Sequence, residues 1–254
     1  MESKFNIRRI SLLFKYELAL LQHPITVGII GIVVFILAIS ALASSIEPWG
    51  IVNKNTLGSI YGLMLMLGGA VISSYSFHRV STKGGALNYL SLPASREEKF
   101  LVTFLSTAII YPLGLTVVFI LTEFLASGIW MIIGGNFNMY TLSDMVGQEG
   151  LAEFVSSYLF MHAFYFLGAA LFKKYAFLKT TVSFFAVSFV LWILGVILFF
   201  VFFSNGEFDN TSFNYQFDST SLEGTIKYIV RTGTVAVTIA MWGIAFLKFK
   251  RKEV

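Results

Sequence analysis

Six stretches of the chain consist almost wholly of apolar residues, and each is long enough to cross a lipid bilayer as a helix. They cover residues 25–46, 57–77, 100–122, 152–172, 180–203 and 226–247. About 20 apolar residues span the ~30 Å hydrocarbon layer. In lipid every backbone amide must be satisfied within its own segment, so each run is predicted to be a helix. The second run is rich in Gly, Ser and Ala, which favour close helix–helix contact. The third contains Pro112, which predicts a kink. Apolar character continues past Glu123 through residues 124–135, a tail too short to span again. It prolongs the helix, re-enters the membrane or lies along its outer face, and the sequence does not choose among these.

Residues 3–22 have a different pattern. Ile7, Ile10, Phe14, Leu18 and Leu21 recur at three- and four-residue spacing, while Arg8, Arg9, Ser11 and Lys15 fall largely off that stripe. This predicts an amphipathic helix lying in the membrane interface. Pro24 then separates it from the first span, since proline suits a first helical turn. The polar connections are Glu47-Pro48-Trp49-Gly50, a turn with an interfacial tryptophan, then residues 78–99, 135–150, the short turn at Lys173 and Lys174, and 204–224. No internal repeat or second domain is evident, and residues 1–254 read as one all-α integral membrane domain of six transmembrane helices.

Charge placement sets the expected orientation. Lys4, Arg8, Arg9, Lys15, Arg79, Lys83, Arg96, Lys99, Lys173, Lys174, Lys179, Lys248, Lys250, Arg251 and Lys252 fall on one side, fifteen of the eighteen basic residues; only Lys54, Lys227 and Arg231 fall on or near the other. Basic residues stay in the cytoplasm, so both termini are expected there, in a multi-pass protein of the cell (inner) membrane. Composition agrees: 56% of residues are hydrophobic and 13% charged, against about 25% charged in a soluble domain. The net charge of +4 sits at the span ends, which points to membrane lipid and to no nucleic-acid partner.

Little catalytic chemistry is legible. Without cysteine there is no disulfide framework or thiolate metal site, and His23, His78 and His162 lack metal-ligand spacing, so no metal is expected. No G-x-x-x-x-G-K-[ST] string occurs, so the chain cannot hydrolyse ATP by itself. Glu97-Glu98 invites comparison with intramembrane proteases in which a Glu-Glu pair is followed, after three residues, by Arg; Val102 stands there instead. Ser127, between Ala126 and Gly128, reads as a small-residue helix contact. Asn210-Thr211-Ser212 matches a glycosylation triplet of a kind that arises often by chance. Three polar residues fall in or at the ends of spans and are candidates by that fact alone. Glu123 is expected near the outer boundary, where water reaches it. His162 is expected mid-span, hydrogen-bonded between helices. Arg231 is expected to snorkel outward, with Glu123 or Glu153 as a candidate partner.

The loop between spans two and three is the most informative stretch. Leu90 to Lys99 reads Leu-Ser-Leu-Pro-Ala-Ser-Arg-Glu-Glu-Lys. Pro93 stops the preceding segment, Ser95 is a good N-cap, and Glu98 three residues on completes a capping box. Glu97 and Glu98 complement the dipole of a helix starting there. Before it, residues 83–90 read as a short surface helix. By itself this is also how an ordinary well-capped loop would look.

The string Leu92-Pro93-Ala94-Ser95-Arg96-Glu97-Glu98-Lys99 resembles a segment of ABC-2 type permeases, the membrane subunits of ATP-binding cassette exporters. The layout, with an N-terminal amphipathic helix, six spans and both ends inside, is similar to that family over nearly the whole chain. Residues 204–224 are polar, where the family often has short re-entrant helices. The resemblance implies two permease subunits pairing as a homo- or heterodimer, each docked on an ATP-binding cassette ATPase subunit that binds the ATP. It implies a docking loop containing Tyr89, Leu92, Pro93, Ser95, Arg96, Glu97, Glu98 and Lys99, with Arg96, Glu97 and Glu98 as contacts. The chain itself would be no enzyme and would need no cofactor of its own. The alternatives are a secondary transporter or channel without an ATPase, and a membrane-embedded enzyme.

Overall fold

A computed structural model describes residues 6–46, 54–78, 92–133, 141, 144, 150–203 and 219–252. Within them the ordered elements are helices: α1 (Ile7–Ile46), α2 (Lys54–Tyr75), α3 (Arg96–Leu105), a π-helical turn (Ser106–Ile110), α4 (Tyr111–Ile133), α5 (Leu151–Leu171), α6 (Ala176–Phe203) and α7 (Ser219–Lys252). Six stretches of these are long and apolar enough to cross a membrane: Ile25–Leu42, Thr56–Tyr75, Arg96–Ile132, Leu151–Leu171, Ala176–Val201 and Lys227–Arg251. They match the six apolar runs of the sequence. The turn at 47–50, residues 79–91 with Tyr89 and the expected short helix, most of 135–150 and the acceptor at Asn210 lie outside the described residues.

The separate interfacial helix does not form. The 40 residues from Ile7 to Ile46 make one helix that runs straight through Pro24. A mid-helix proline removes one hydrogen bond and costs about 3 kcal/mol. Here helix on both sides is anchored, by Leu13 near one end and Ile36 near the other, both buried. Thr26 Oγ1 also donates to the Gln22 carbonyl at 2.8 Å, in the turn that holds the proline. The inward face differs from the expected stripe as well. Arg9, Ile10, Leu13, Phe14 and Glu17 turn inward, whereas Ile7 is 77% exposed and Leu18 is exposed. One face of this segment packs on α3, which is a stronger constraint on its roll than an interface would be.

The tail after Glu123 prolongs the third helix, which continues to Ile133. From Arg96 to Ile132 it spans 37 residues, about 55 Å at the usual rise, longer than the hydrocarbon layer is thick. Its polar first turn, Arg96 to Lys99, precedes the apolar run that begins at Phe100. Just before Pro112, where a kink is expected, residues Ser106–Ile110 form a π-helical turn.

Helix α5 is the hub of the bundle, packed on α7, α2 and α6, while α1 packs on α4. Two apolar clusters sit one above the other. One joins Ile36, Leu57, Tyr61, Leu65, Leu115, Phe119 and Tyr158. The other joins Phe77, Phe166, Ala169, Ala170, Ala245 and Phe249, with Phe100, Phe104 and Trp242 against it. Small residues set the close approaches. A β-carbon on Gly69 would come within 2.7 Å of Tyr158 Cε2, and one on Gly68 would overlap the Tyr111 hydroxyl. Helix α6 is different: beyond its first two turns nearly every side chain from Val182 to Val201 is exposed. It leaves α5 through the turn Phe172–Tyr175, in which Tyr175 holds a left-handed φ of 54°.

Candidate functional site

The start of α3 is the best-defined polar site. Ser95 Oγ accepts from the Glu98 N–H at 3.2 Å, and Glu98 Oε2 accepts from the Ser95 N–H at 2.9 Å, which closes the capping box. Glu98 has a second task. Its Oε1 accepts from the Asn6 N–H at 2.9 Å and faces the Arg9 guanidinium at 3.3 Å. Asn6 in turn caps α1, its Oδ1 accepting from the Arg8 N–H at 2.9 Å. One carboxylate thus serves the N-termini of two helices 92 residues apart in sequence. Both termini carry partial positive charge, so a single anion between them stabilises both. Burial pushes the Glu98 carboxyl toward protonation, but the N–H groups of Ser95 and Asn6, the Arg9 charge and the Ser95 hydroxyl outweigh it. The net pKa is lowered from the ordinary 4.5.

The C-terminal end of α7 reaches the same place. Lys250 Nζ lies 3.9 Å from Glu97 Oε1, and Arg96 Nη1 donates to the Lys250 carbonyl at 3.4 Å. The residues 92–99 therefore divide into two groups. Glu98 is 0% exposed and Lys99 3%. Pro93 and Glu97 are exposed, and Leu92, Ala94, Ser95 and Arg96 are partly so. Glu98, expected as a contact for a partner, is instead enclosed and consumed by internal bonds, as a carboxylate must be when it leaves water.

Between the two apolar clusters lies a hydrogen-bonded junction. The Tyr111 N–H bonds to the Ser106 carbonyl five residues back, in the π-helical register. The next donor in that register is position 112, which is proline and has no N–H. The Thr107 carbonyl is thereby freed, and the Tyr158 hydroxyl donates to it at 2.7 Å. Trp242 Nε1 donates to His162 Nδ1 at 3.3 Å, so a neutral His162 carries its proton on Nε2 and donates to Thr107 Oγ1 at 2.8 Å. Thr107 Oγ1 in turn donates to the Thr103 carbonyl at 3.0 Å. His162 is fully buried and bonded across three elements.

Tyrosines at either side repeat the device. The Tyr111 hydroxyl donates to the Met64 carbonyl at 2.9 Å, reached over the bare backbone of Gly68. The Tyr61 hydroxyl meets Thr116 Oγ1 at 2.7 Å. Tyr158→Phe leaves a buried carbonyl without a partner and is expected to lower stability by about 1–3 kcal/mol. Tyr61→Phe leaves Thr116 still bonded to the Pro112 carbonyl, and a smaller loss is expected. Thermal unfolding of the two variants in the same detergent checks the ranking.

The other sequence candidates are dispersed. Glu123 is 3% exposed rather than wet, because α4 overruns the expected end of the span and Glu123 faces Ser40 of α1. Arg231 is exposed on α7 and pairs with neither Glu123 nor Glu153. Glu153 is taken by Lys227 at 3.1 Å. Among the described residues no group of three metal-capable side chains comes together. The double duty of Glu98 and the Tyr158–Thr107 bond were not foreseen. Of these, only the Pro112 position offered a signal, as the mark of a missing backbone donor. Comparison with family models, with characterised proteins and with solved structures finds no match for this chain.

Proposed function

We infer that the chain is the membrane-spanning subunit of an ABC-2 type exporter, paired with a second permease subunit and driven by ATP bound on separate ATPase subunits. One observation supports this best: the exposed part of residues 92–97 is joined, through Glu98, Arg96 and Glu97, to the ends of α1, α3 and α7. A push on Pro93 and Glu97 reaches three helices at once. A permease that hydrolyses nothing itself needs such a handle. The basic ends of the helices support a cytoplasmic position for that handle and for both termini, in the cell membrane. In this reading Pro93, Arg96 and Glu97 meet the ATPase, Ser95 and Glu98 hold the handle's shape, and the chemistry of ATP belongs to the partner.

A second reading, a carrier without an ATPase, has one observation in its favour: the buried carboxyl of Glu123.

The test is isolation of the tagged chain from its native membrane in mild detergent. A protein with a phosphate-binding loop is expected to come with it. The double substitution Arg96→Glu, Glu97→Arg should reduce that recovery by about tenfold, since it inverts the charges on the exposed surface. It breaks an exposed ion pair and the exposed Arg96 hydrogen bond to the Lys250 carbonyl, both worth little to the fold, so the melting temperature should change little. An ATPase retained in full by the double variant, or none recovered with the wild type, defeats the assignment.

A further inference from the structure

Among the described acids, Glu97, Glu98 and Glu153 each face a basic side chain. Glu123 does not. It lies on α4 against α1, 3% exposed, and the polar group opposite is Ser40, also 3% exposed. Ser40 is near enough to act on the carboxyl, yet neither Glu123 Oε1 nor Ser40 Oγ makes a hydrogen bond. The pair sits one turn beyond Phe119 and Ile36 of the apolar cluster. Along the helix it is about 40 Å from Arg96, toward the opposite end of the bundle.

Among the residues whose side chains are described, the surrounding groups offer no counter-charge; the Lys54 side chain at the start of α2 lies outside them. On α4 itself the other titratable side chain is Tyr111, whose hydroxyl is bound to the Met64 carbonyl. On α2, Tyr61 packs on Phe119 and is bound to Thr116. On α1 the nearest titratable residue is His23, 17 positions before Ser40 and so about 25 Å away. At the same end of the bundle Lys227 and Glu153 are closed on each other.

A buried carboxylate whose Oε1 has no hydrogen-bond partner is costly. A single proton answers the need, since it removes the charge and turns the carboxyl into a donor that Ser40 Oγ can accept from. A metal cation would need more oxygens than two from the carboxyl and one from Ser40; calcium, for instance, takes about six to eight.

We propose that Glu123, facing Ser40 across the α1–α4 contact, is an exchangeable proton-binding site that couples the packing of these helices to the acidity at that end of the bundle. In the loading step a Glu123 carboxylate oxygen takes a proton from hydronium and leaves water. In release the proton returns to water and the carboxylate is restored. The site works without an ATPase and does not depend on the exporter reading.

The experiment is infrared difference spectroscopy of the full chain in lipid nanodiscs, stepped between mildly acid and mildly alkaline buffer. The expected result is one carboxylic C=O band that grows as the pH falls, is lost in Glu123→Gln, and shifts in frequency in Ser40→Ala. Ser40→Ala keeps the carboxyl and deletes one hydroxyl, so it reads the site even where Glu123→Gln fails to assemble. A band unchanged across the range marks a permanently protonated structural acid and overturns the proposal. So does the absence of any such band in folded protein, or a band that survives in Glu123→Gln.

Discussion

Replacing Glu98 with alanine is expected to destabilise the protein by roughly 3 kcal/mol, although the residue lies at the rim of the bundle. Each N-cap is worth about 1 kcal/mol, and Glu98 closes two of them, one by its Ser95 box and one through Asn6. The remainder comes from Arg9, whose facing carboxylate disappears. Glu98→Gln should fall between, since an amide oxygen satisfies one helix end but brings no charge. Glu97→Ala, which removes an exposed acid beside Lys250, should change little. The pH dependence has a definite sign. Because the Glu98 pKa is lowered, its contribution is complete above the ordinary value of 4.5. It is lost as the pH falls through the group's own, lower value. Thermal unfolding below about pH 4 should therefore weaken the wild type more than Glu98→Ala. Equal melting of the two proteins at neutral pH would refute the double-cap account.

A second large effect is expected at Gly168. There α5 lies so close to α6 that an added β-carbon would come within 2.8 Å of Thr180 Cβ and 2.6 Å of its Cγ2, and would overlap the hydroxyl oxygen. These atoms belong to a buried, β-branched side chain that cannot swing away. Gly168→Ala should cost about 1–3 kcal/mol through overpacking. Thr180→Ala alone should cost less than Gly168→Ala, because the Thr180 hydroxyl has no hydrogen-bond partner to lose and only its methyl packing is given up. Adding Thr180→Ala to Gly168→Ala should recover most of the stability, and a double-mutant cycle measures the coupling. Additive losses would mean that the two helices are not in contact at this point.

What could be read in advance follows from how local each signal is. The six spans were legible because length and hydropathy belong to single segments, and the capping box was legible because Ser95 and Glu98 are three residues apart. Pro24 misled for the same reason: proline's cost is local, whereas the anchoring by Leu13 and Ile36 that outweighs it is not. Glu123 was placed in water on the assumption that its helix ends with the span, but α4 carries on to Ile133 with α1 alongside. The second role of Glu98 depends on Asn6 arriving from 92 residues away, and no spacing rule reaches that far. At the junction, His162 lay where a mid-span residue should, but its partners Thr107 and Trp242 come from two other elements. Whether the surface beside the cap meets an ATPase depends on a second molecule, and that contact is the experiment proposed above.

The bare length of α6 has a consequence for how the protein holds its shape. Lipid tails are as apolar as its Phe, Val and Leu side chains, so nothing hydrophobic draws this rod toward its neighbours. It is fastened near its foot, by Thr180 against Gly168, by Thr181 Oγ1 against the Tyr165 hydroxyl at 3.0 Å and by contacts with α2, and above that its side chains are exposed among the described residues. Its lean in the bilayer is then governed by bilayer thickness and by the backbone of Tyr175. A thinner membrane should tip this mast while leaving the rest of the rigging in place.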